Sequence, residues 1–180
     1  MAILSDQWDK ISSYARTLLI SMLDPSVATP VPINVVAAHK GFYIIIVDNE
    51  GKQLVKEGFL AENIFNISES SAKVINGIHN KAKLTNIPLS QLKSSSFYFY
   101  LINNINYIAN PTLWDEAKDG LFFMWGQDFK SILLPYEIKK IGGSKINVLD
   151  TLCSQCNLPS SLYKLPEGLV WRIDCDEHKS

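Results

Sequence analysis

The segment GLFFMWGQDFKSILLP (Gly120–Pro135) has the pattern of two hydrophobic strands joined by a tight turn. Leu121–Trp125 and Ser131–Leu134 are rich in aromatic and aliphatic side chains, which favour extended chain. Gly126–Lys130 lies between them and supplies a glycine and polar turn residues. We therefore predict an antiparallel hairpin in this part of the chain.

A helix is predicted after this hairpin, at about Lys145–Asn157. Its apolar residues recur at helical spacing, and a Leu-Pro pair at Leu158-Pro159 ends it. One face carries Val148, Leu149, Leu152, Cys153 and Cys156. Leu169–Ile173 then has the composition of a closing strand.

Four further strand segments are predicted upstream. Phe42–Val47 consists of aromatic and branched apolar residues, and the turn residues Asp48–Gly51 separate it from Gln53–Lys56. Because Phe42–Val47 is apolar on both faces, it is expected in the centre of a sheet. Phe97–Ile102 and Asn106–Ile108 have the composition of two more strands.

Helices are predicted between these strands. The first follows Ser5 and ends before Pro25, because apolar residues recur there at spacings of three and four: Trp8, Ile11, Ala15, Leu18, Leu19 and Met22. Asn66 and Glu69 form a capping box ahead of a helix that runs to about Asn80. Residues 88–96 are expected to be irregular with one helical turn.

The fold class follows from this order of elements. Strands come in hairpins with helices between the pairs, and there is no strict alternation of strand and helix. We predict an α+β protein with a mainly antiparallel sheet flanked by helices. A single domain is expected over residues 1–180, with a small helical lobe at residues 60–95.

Composition and charge exclude several classes of protein. Seventeen basic and eighteen acidic residues give a net charge of -1, so there is no broad positive field to attract nucleic acid or a membrane surface. The apolar runs are too short to span a bilayer. The N-terminus turns acidic within six residues, and three cysteines make a poor disulfide framework. A cytoplasmic location is therefore expected.

Specific residues give the chain a family resemblance. It resembles the AMMECR domain family, also called AmmeMemoRadiSam system protein A. Members show a glycine-led strand and turn ending in a Leu-Leu-Pro hairpin, and then a helix with the pattern L-x-x-C-x-x-A-G-L-P and a following aromatic. The counterparts here are Gly120, Leu133-Leu134-Pro135, Leu149, Leu152-Cys153, Asn157-Leu158-Pro159 and Tyr163. Weaker similarity extends to the first helix, to Gly41–Val47 and to Pro88-Leu89.

One family signature is missing. The family's peptide LRGCIG would fall at residues 54–59, where this chain has LVKEGF. Lysine and glutamate cannot replace a thiolate as nucleophile or ligand. The resemblance therefore implies a divergent member that has lost the family's cysteine site.

Three side chains are candidates for acid or base chemistry. Lys56 and Glu57 stand in the missing peptide, and His39 lies at a strand entrance. Adjacent strand residues point to opposite faces, and exposed charges usually only solvate a surface. If the protein is an enzyme, Lys56, Glu57 and His39 are expected to converge in a cleft between two lobes.

A zinc site is a further alternative. Cys153 and Cys156 form one C-x-x-C pair and Cys175 and His178 form a second pair, with eighteen residues between the two pairs. This spacing is compatible with structural zinc. Against it, the first pair lies in a predicted helix and the second lies near the end of the sequence.

The leading hypothesis for function is an accessory or protein-binding component without the family cysteine motif. The resemblance implies a protein partner, with Memo-like and radical SAM proteins as candidates. No cofactor is predicted, and neither nucleic acid nor membrane is expected as a partner. The enzyme and the zinc-stabilised module remain the alternatives.

Overall fold

The protein is described from a computed structural model covering residues 3–180, in which the side chains of 63–65 are not described. The helices are α1 (Ser5–Leu23), α2 (Ile67–Leu84), α3 (Leu89–Ser94), α4 (Pro135–Ile141) and α5 (Lys145–Gln155), with a 3-10 turn at Leu162–Lys164. The strands are β1 (Val36–Val47), β2 (Gln53–Asn66), β3 (Ser96–Tyr107), β4 (Gly120–Trp125), β5 (Phe129–Leu133) and β6 (Gly168–Lys179).

The six strands form one antiparallel sheet in the order β2-β1-β3-β6-β4-β5. Together with the flanking helices, this confirms the predicted α+β class. The chain divides into two compact units, Met1–Asn103 with Asp176–Ser180 and Asn104–Cys175. Residues 60–95 contribute the end of β2, α2 and α3 to the first unit. The single domain over 1–180 and the small lobe stay predictions.

The first unit is built on β1. This strand lies between β2 and β3, which confirms its predicted central position, and residues 41–47 are fully or nearly fully buried. Phe42, Ile44 and Ile46 face a core shared with α1, α2 and α3. Ile44 is opposite Glu57 on β2 and opposite Phe99 on β3, so the register brings alternate residues of all three strands to that core.

The start of α2 follows the predicted capping box. The Asn66 side-chain oxygen accepts a hydrogen bond from the Glu69 backbone N–H at 3.2 Å, and the Asn66 amide donates to the Glu69 carboxylate at 2.8 Å. These contacts satisfy groups that a helix start would leave unpaired. Four of the first five residues of α2 are buried: Ile67, Ser68, Ser70 and Ser71.

The second unit contains the predicted hairpin and helix. Leu121 pairs with Leu133 and Trp125 with Phe129 across β4 and β5. The end of α5 is a Schellman motif, because Leu158 N–H donates to Cys153 C=O and Asn157 N–H donates to Ser154 C=O. Asn157 has φ 56°, the left-handed conformation that this motif requires and that asparagine tolerates.

Strands β3 and β6 differ from the predictions. Residues 97–102 and 106–108 were expected to be two strands, but β3 is continuous from Ser96 to Tyr107. The closing strand was expected at residues 169–173, but β6 continues to Lys179. Backbone hydrogen bonds between Ser180 and Phe97 extend the pairing through a polar stretch whose composition does not favour a strand.

Arg16 of α1 holds the end of β6 in the first unit. Its guanidinium donates to Ser180 Oγ at 3.0 Å, to the Ser180 main-chain oxygen at 2.8 Å and to the Ser95 carbonyl at 3.0 Å. It also lies 4.1 Å from the centroid of the Phe97 ring. Burial lowers the pKa of Arg16 from its ordinary value. None of the helices in the described residues is long and apolar enough to cross a membrane.

Candidate functional site

Residues 54–59 lie on β2 beneath α2. The Glu57 carboxylate accepts from Lys81 Nζ at 2.8 Å and from the Gly58 backbone N–H at 3.0 Å. Lys81 Nζ also donates to the Lys56 carbonyl at 2.9 Å. Gly77 of α2 leaves room for Glu57, since a Cβ there would lie 2.6 Å from Glu57 Cγ. Glu57 thus fastens α2 to β2.

Gly58 is covered by an aromatic ring. It lies opposite Tyr43 in the register of β1 and β2, and a Cβ on Gly58 would overlap the Tyr43 ring. An aromatic side chain over a glycine in a neighbouring edge strand stabilises the pairing. This half of β2 is therefore packed against its neighbours on both faces, by α2 and by Tyr43.

His39 is buried and hydrogen-bonded. Only 1% of it is exposed, and its Nδ1 and Nε2 lie 2.8 Å from Ala37 O and 3.0 Å from Ser70 Oγ. Because a carbonyl only accepts, Nδ1 carries the proton and Nε2 accepts from the Ser70 hydroxyl. Burial lowers the pKa of His39, partly opposed by the Ala37 carbonyl. The His39 imidazole is therefore neutral near pH 7.

The structure does not bring the three acid-base candidates together. His39 contacts Ser70 of α2, and Glu57 contacts Lys81 of the same helix. These two helix positions are eleven residues apart, which is roughly 16 Å along the axis. The Lys56 side chain lies on the other face of β2 from Glu57. Lys56 pairs with Ile45, whereas Glu57 pairs with the core residue Ile44.

Ser70 was not among the predicted site residues. A serine hydroxyl 3.0 Å from a histidine nitrogen is the arrangement that nucleophilic catalysis uses. However, Ser70 is 2% exposed and His39 is 1% exposed, so a substrate would have no access to this pair. The contact joins α2 to β1. No sequence motif predicts the contact between His39 and Ser70, because 31 positions separate the two residues.

The four residues of the zinc alternative lie on two elements. Cys153 is buried in α5 and Cys156 is its C-cap, whereas Cys175 and His178 belong to β6. The His178 ring stacks on Trp8 of the first unit, with centroids 5.4 Å apart. Within residues 3–180 as described, no three His, Cys, Asp or Glu side chains are grouped to hold a metal ion.

Cys153 has the environment of a packed thiol. Burial raises its pKa, while backbone N–H groups of Tyr163 and Leu162 that hydrogen-bond to the sulfur act in the opposite direction. These contacts tie α5 to the turn at Leu162–Lys164. Since the thiolate is the reactive form, a raised pKa makes this cysteine unreactive near neutral pH.

A groove in the second unit is the candidate functional site. It has a volume of about 490 Å³ and lies where β3 ends and β6 begins, with the Ile108 N–H donating to the Val170 carbonyl at its base. One wall is formed by residues 107–109, 111 and 112, the other by residues 163–166, 168 and 170, and Ile146 of α5 completes the lining. We refer to these residues as the groove.

The groove exposes large apolar side chains. Tyr107, Ile146 and Leu165 line it and are 57%, 50% and 47% exposed. Pro111 and Pro166 stand on opposite walls and present no backbone N–H. Patches of this kind mark interaction sites more often than an isolated exposed leucine does.

The groove is backed by a rigid core. Tyr163 and Val170 belong both to its lining and to the hydrophobic core of the second unit. Lys145 fixes the neighbouring loop, donating to the carbonyls of Thr112 and Trp114. Tyr107 packs edge-on against Trp171 with centroids 6.0 Å apart. A pre-ordered surface loses little side-chain freedom when it binds.

Comparisons with known proteins found a similar fold in a solved structure. No protein-family model matches the chain, and no curated protein matches it. Among solved structures it is similar to the uncharacterized protein PH0010 from Pyrococcus horikoshii, with a TM-score of 0.78. The match covers 95% of this chain and 90% of that chain at 14% identity. The similarity shows that the two share a fold.

Proposed function

We propose that this protein is a binding component, a divergent relative of the AMMECR domain that recognises a protein partner through the groove. The observation that carries the proposal is the exposure of Tyr107, Ile146 and Leu165 around one cavity. Burying such side chains against a partner is worth about 25 cal/mol for each Å² of apolar surface removed from water.

The contacts on β2 favour binding over catalysis. Glu57 is paired with Lys81, and His39 is closed off with Ser70. A general base must reach a proton on its substrate; His39 is buried, and the partly buried Glu57 is held by its ion pair with Lys81. The segment that would hold the family's cysteine peptide is thus occupied by contacts that hold α2 on the sheet.

A protein segment suits the groove better than a small molecule. Small-molecule sites enclose most of the ligand and place several polar groups around it. Here the side chains at the rim are about half exposed, and the lining is mostly apolar. Such a surface matches a partner that supplies its own apolar side chains and covers the rim.

The resemblance at the end of α5 supports the family part of the proposal. The family pattern places glycine where this chain has Asn157, and Asn157 adopts a left-handed φ of 56°. Glycine adopts that conformation without strain, and asparagine is the usual substitute. Memo-like and radical SAM proteins are the partners to test first.

The decisive experiment measures binding of the purified chain to each candidate partner by calorimetry. Leu165→Asp should weaken binding at least tenfold, because it places a charge in the apolar contact. The matched control is Leu84→Asp, which changes an 83% exposed leucine of α2 in the other unit. The proposal would be contradicted if both variants lost affinity equally. It would also be contradicted if a partner bound the wild-type chain and neither variant lost affinity for it.

A further inference from the structure

The groove carries a single charge in its lining. Lys164 is the only ionisable acid or base of the twelve lining residues apart from the two tyrosines, and its side chain is exposed. Lys164 Nζ lies 5.6 Å from the centroid of the Tyr163 ring. The neighbouring Glu167 is exposed but does not line the cavity. The apolar surface therefore has a positive point on one wall.

A second ammonium lies close to the opposite wall. Lys145 Nζ donates to the carbonyl of Thr112, a lining residue, and lies 5.1 Å from the Trp114 ring centroid. Two acidic side chains near this wall already have partners, and Asp115 also interacts electrostatically with Lys145. Asp115 pairs with Lys118 at 3.6 Å, and Asp150 accepts from the Ser161 backbone N–H at 3.0 Å.

We propose that the occupant of the groove is an extended peptide segment with an apolar anchor residue and a carboxylate close to it in sequence. The anchor would pack among Tyr107, Ile146 and Leu165, and the carboxylate would pair with Lys164. This inference rests on the proposed binding function and adds the chemistry of the partner. Charge complementarity at a rim selects among partners more than it adds affinity.

The size of the electrostatic contribution sets what an experiment should see. An exposed lysine–carboxylate pair contributes little, and reversing one charge replaces attraction by repulsion. We expect Lys164→Glu to weaken an acidic peptide about three- to tenfold, against at least tenfold for Leu165→Asp. Because the pair is exposed, its contribution should shrink as salt rises.

The test selects peptides from a displayed library of random octapeptides on the full wild-type chain and measures the affinity of the synthesised winners. Enriched peptides should carry Asp or Glu within three residues of an aliphatic or aromatic residue. Lys164→Glu should weaken them, and the Asp/Glu→Lys version of each peptide should regain affinity for Lys164→Glu. Lys130→Glu, an exposed lysine of the β4–β5 hairpin, is the matched control and should change nothing.

The outcomes separate the two proposals. If winners lack an acidic preference, or ignore Lys164→Glu while Leu165→Asp removes their binding, the charge inference is wrong and the binding function stands. If winners bind wild type and Leu165→Asp equally well, the groove is not the binding site and both proposals fail. A library without any binder contradicts both.

Discussion

The two units differ in how their candidate functional residues are placed. In the first unit, the polar residues that the sequence singles out, His39 and Glu57, are partnered and hold α2 to the sheet. In the second unit, the apolar side chains of Tyr107, Ile146 and Leu165 stay exposed around a groove. The polar residues proposed for acid-base chemistry therefore stabilise the fold, and exposed apolar residues form the candidate site.

This contrast has a physical basis. A polar group that is removed from water costs free energy unless it finds a partner, so the buried His39 and the partly buried Glu57 are expected to be paired with their neighbours. An apolar group that is exposed costs free energy with no local remedy, and a binding partner removes that cost. The exposed apolar groove is therefore the more informative feature.

The largest expected effect on stability tests how tightly the first unit is packed. Gly58→Ala should lower the free energy of unfolding by about 2–3 kcal/mol, because the new Cβ overlaps the Tyr43 ring and lies 2.6 Å from the Phe42 carbonyl oxygen. Chemical denaturation measures the loss. In a Tyr43→Ala background the same change should cost less, with the approach to the Phe42 carbonyl oxygen accounting for the cost that remains, and equal costs in both backgrounds would show that the ring is not the obstacle.

A smaller loss is expected at the end of β6. Arg16→Ala removes three charge-assisted hydrogen bonds to Ser180 and Ser95, and should destabilise the protein by about 2 kcal/mol. Lys10→Ala on the same helix is the control. Its ion pair with Asp6 is exposed at both ends, so it should cost less than about 0.5 kcal/mol. Hydrogen exchange at residues 176–180 should accelerate only in Arg16→Ala.

Much of the fold follows from local patterns. The Asn66–Glu69 box, the turn at Gly126 and the apolar face of α5 each predict their element because neighbouring residues determine it. The continuity of β3 and β6 does not follow in this way. Both strands run through polar residues, and hydrogen bonds between distant segments sustain them.

The candidate site was harder to predict. Its two walls come from the segments 107–112 and 163–170, which are far apart in sequence and meet because β3 pairs with β6. An exposed leucine and a buried one look the same in a sequence, so Leu165 gave no signal. Lys56, Glu57 and His39 attracted attention because ionisable residues suggest chemistry before their partners are known.

The pH dependence of stability tests the buried histidine. The pKa of His39 is lowered in the folded protein below its unfolded value of about 6.5, so its contribution is present above that pH and is lost as pH falls toward the folded pKa. Thermal unfolding midpoints should therefore drop between pH 7 and 5. His39→Gln should flatten this slope. An unchanged slope in His39→Gln would place the titration elsewhere.

The smallest expected effect belongs to the groove, and it completes the contrast with Gly58. Ile146→Ser should change the free energy of unfolding by no more than about 0.5 kcal/mol, because this isoleucine is 50% exposed. Ile138→Ser, a buried residue of the same unit that is 3% exposed, should instead cost at least about 2 kcal/mol. If Ile146→Ser were as costly as Ile138→Ser, Ile146 would serve the core of the folded chain, and the groove would lose one of the three side chains that define its exposed apolar surface.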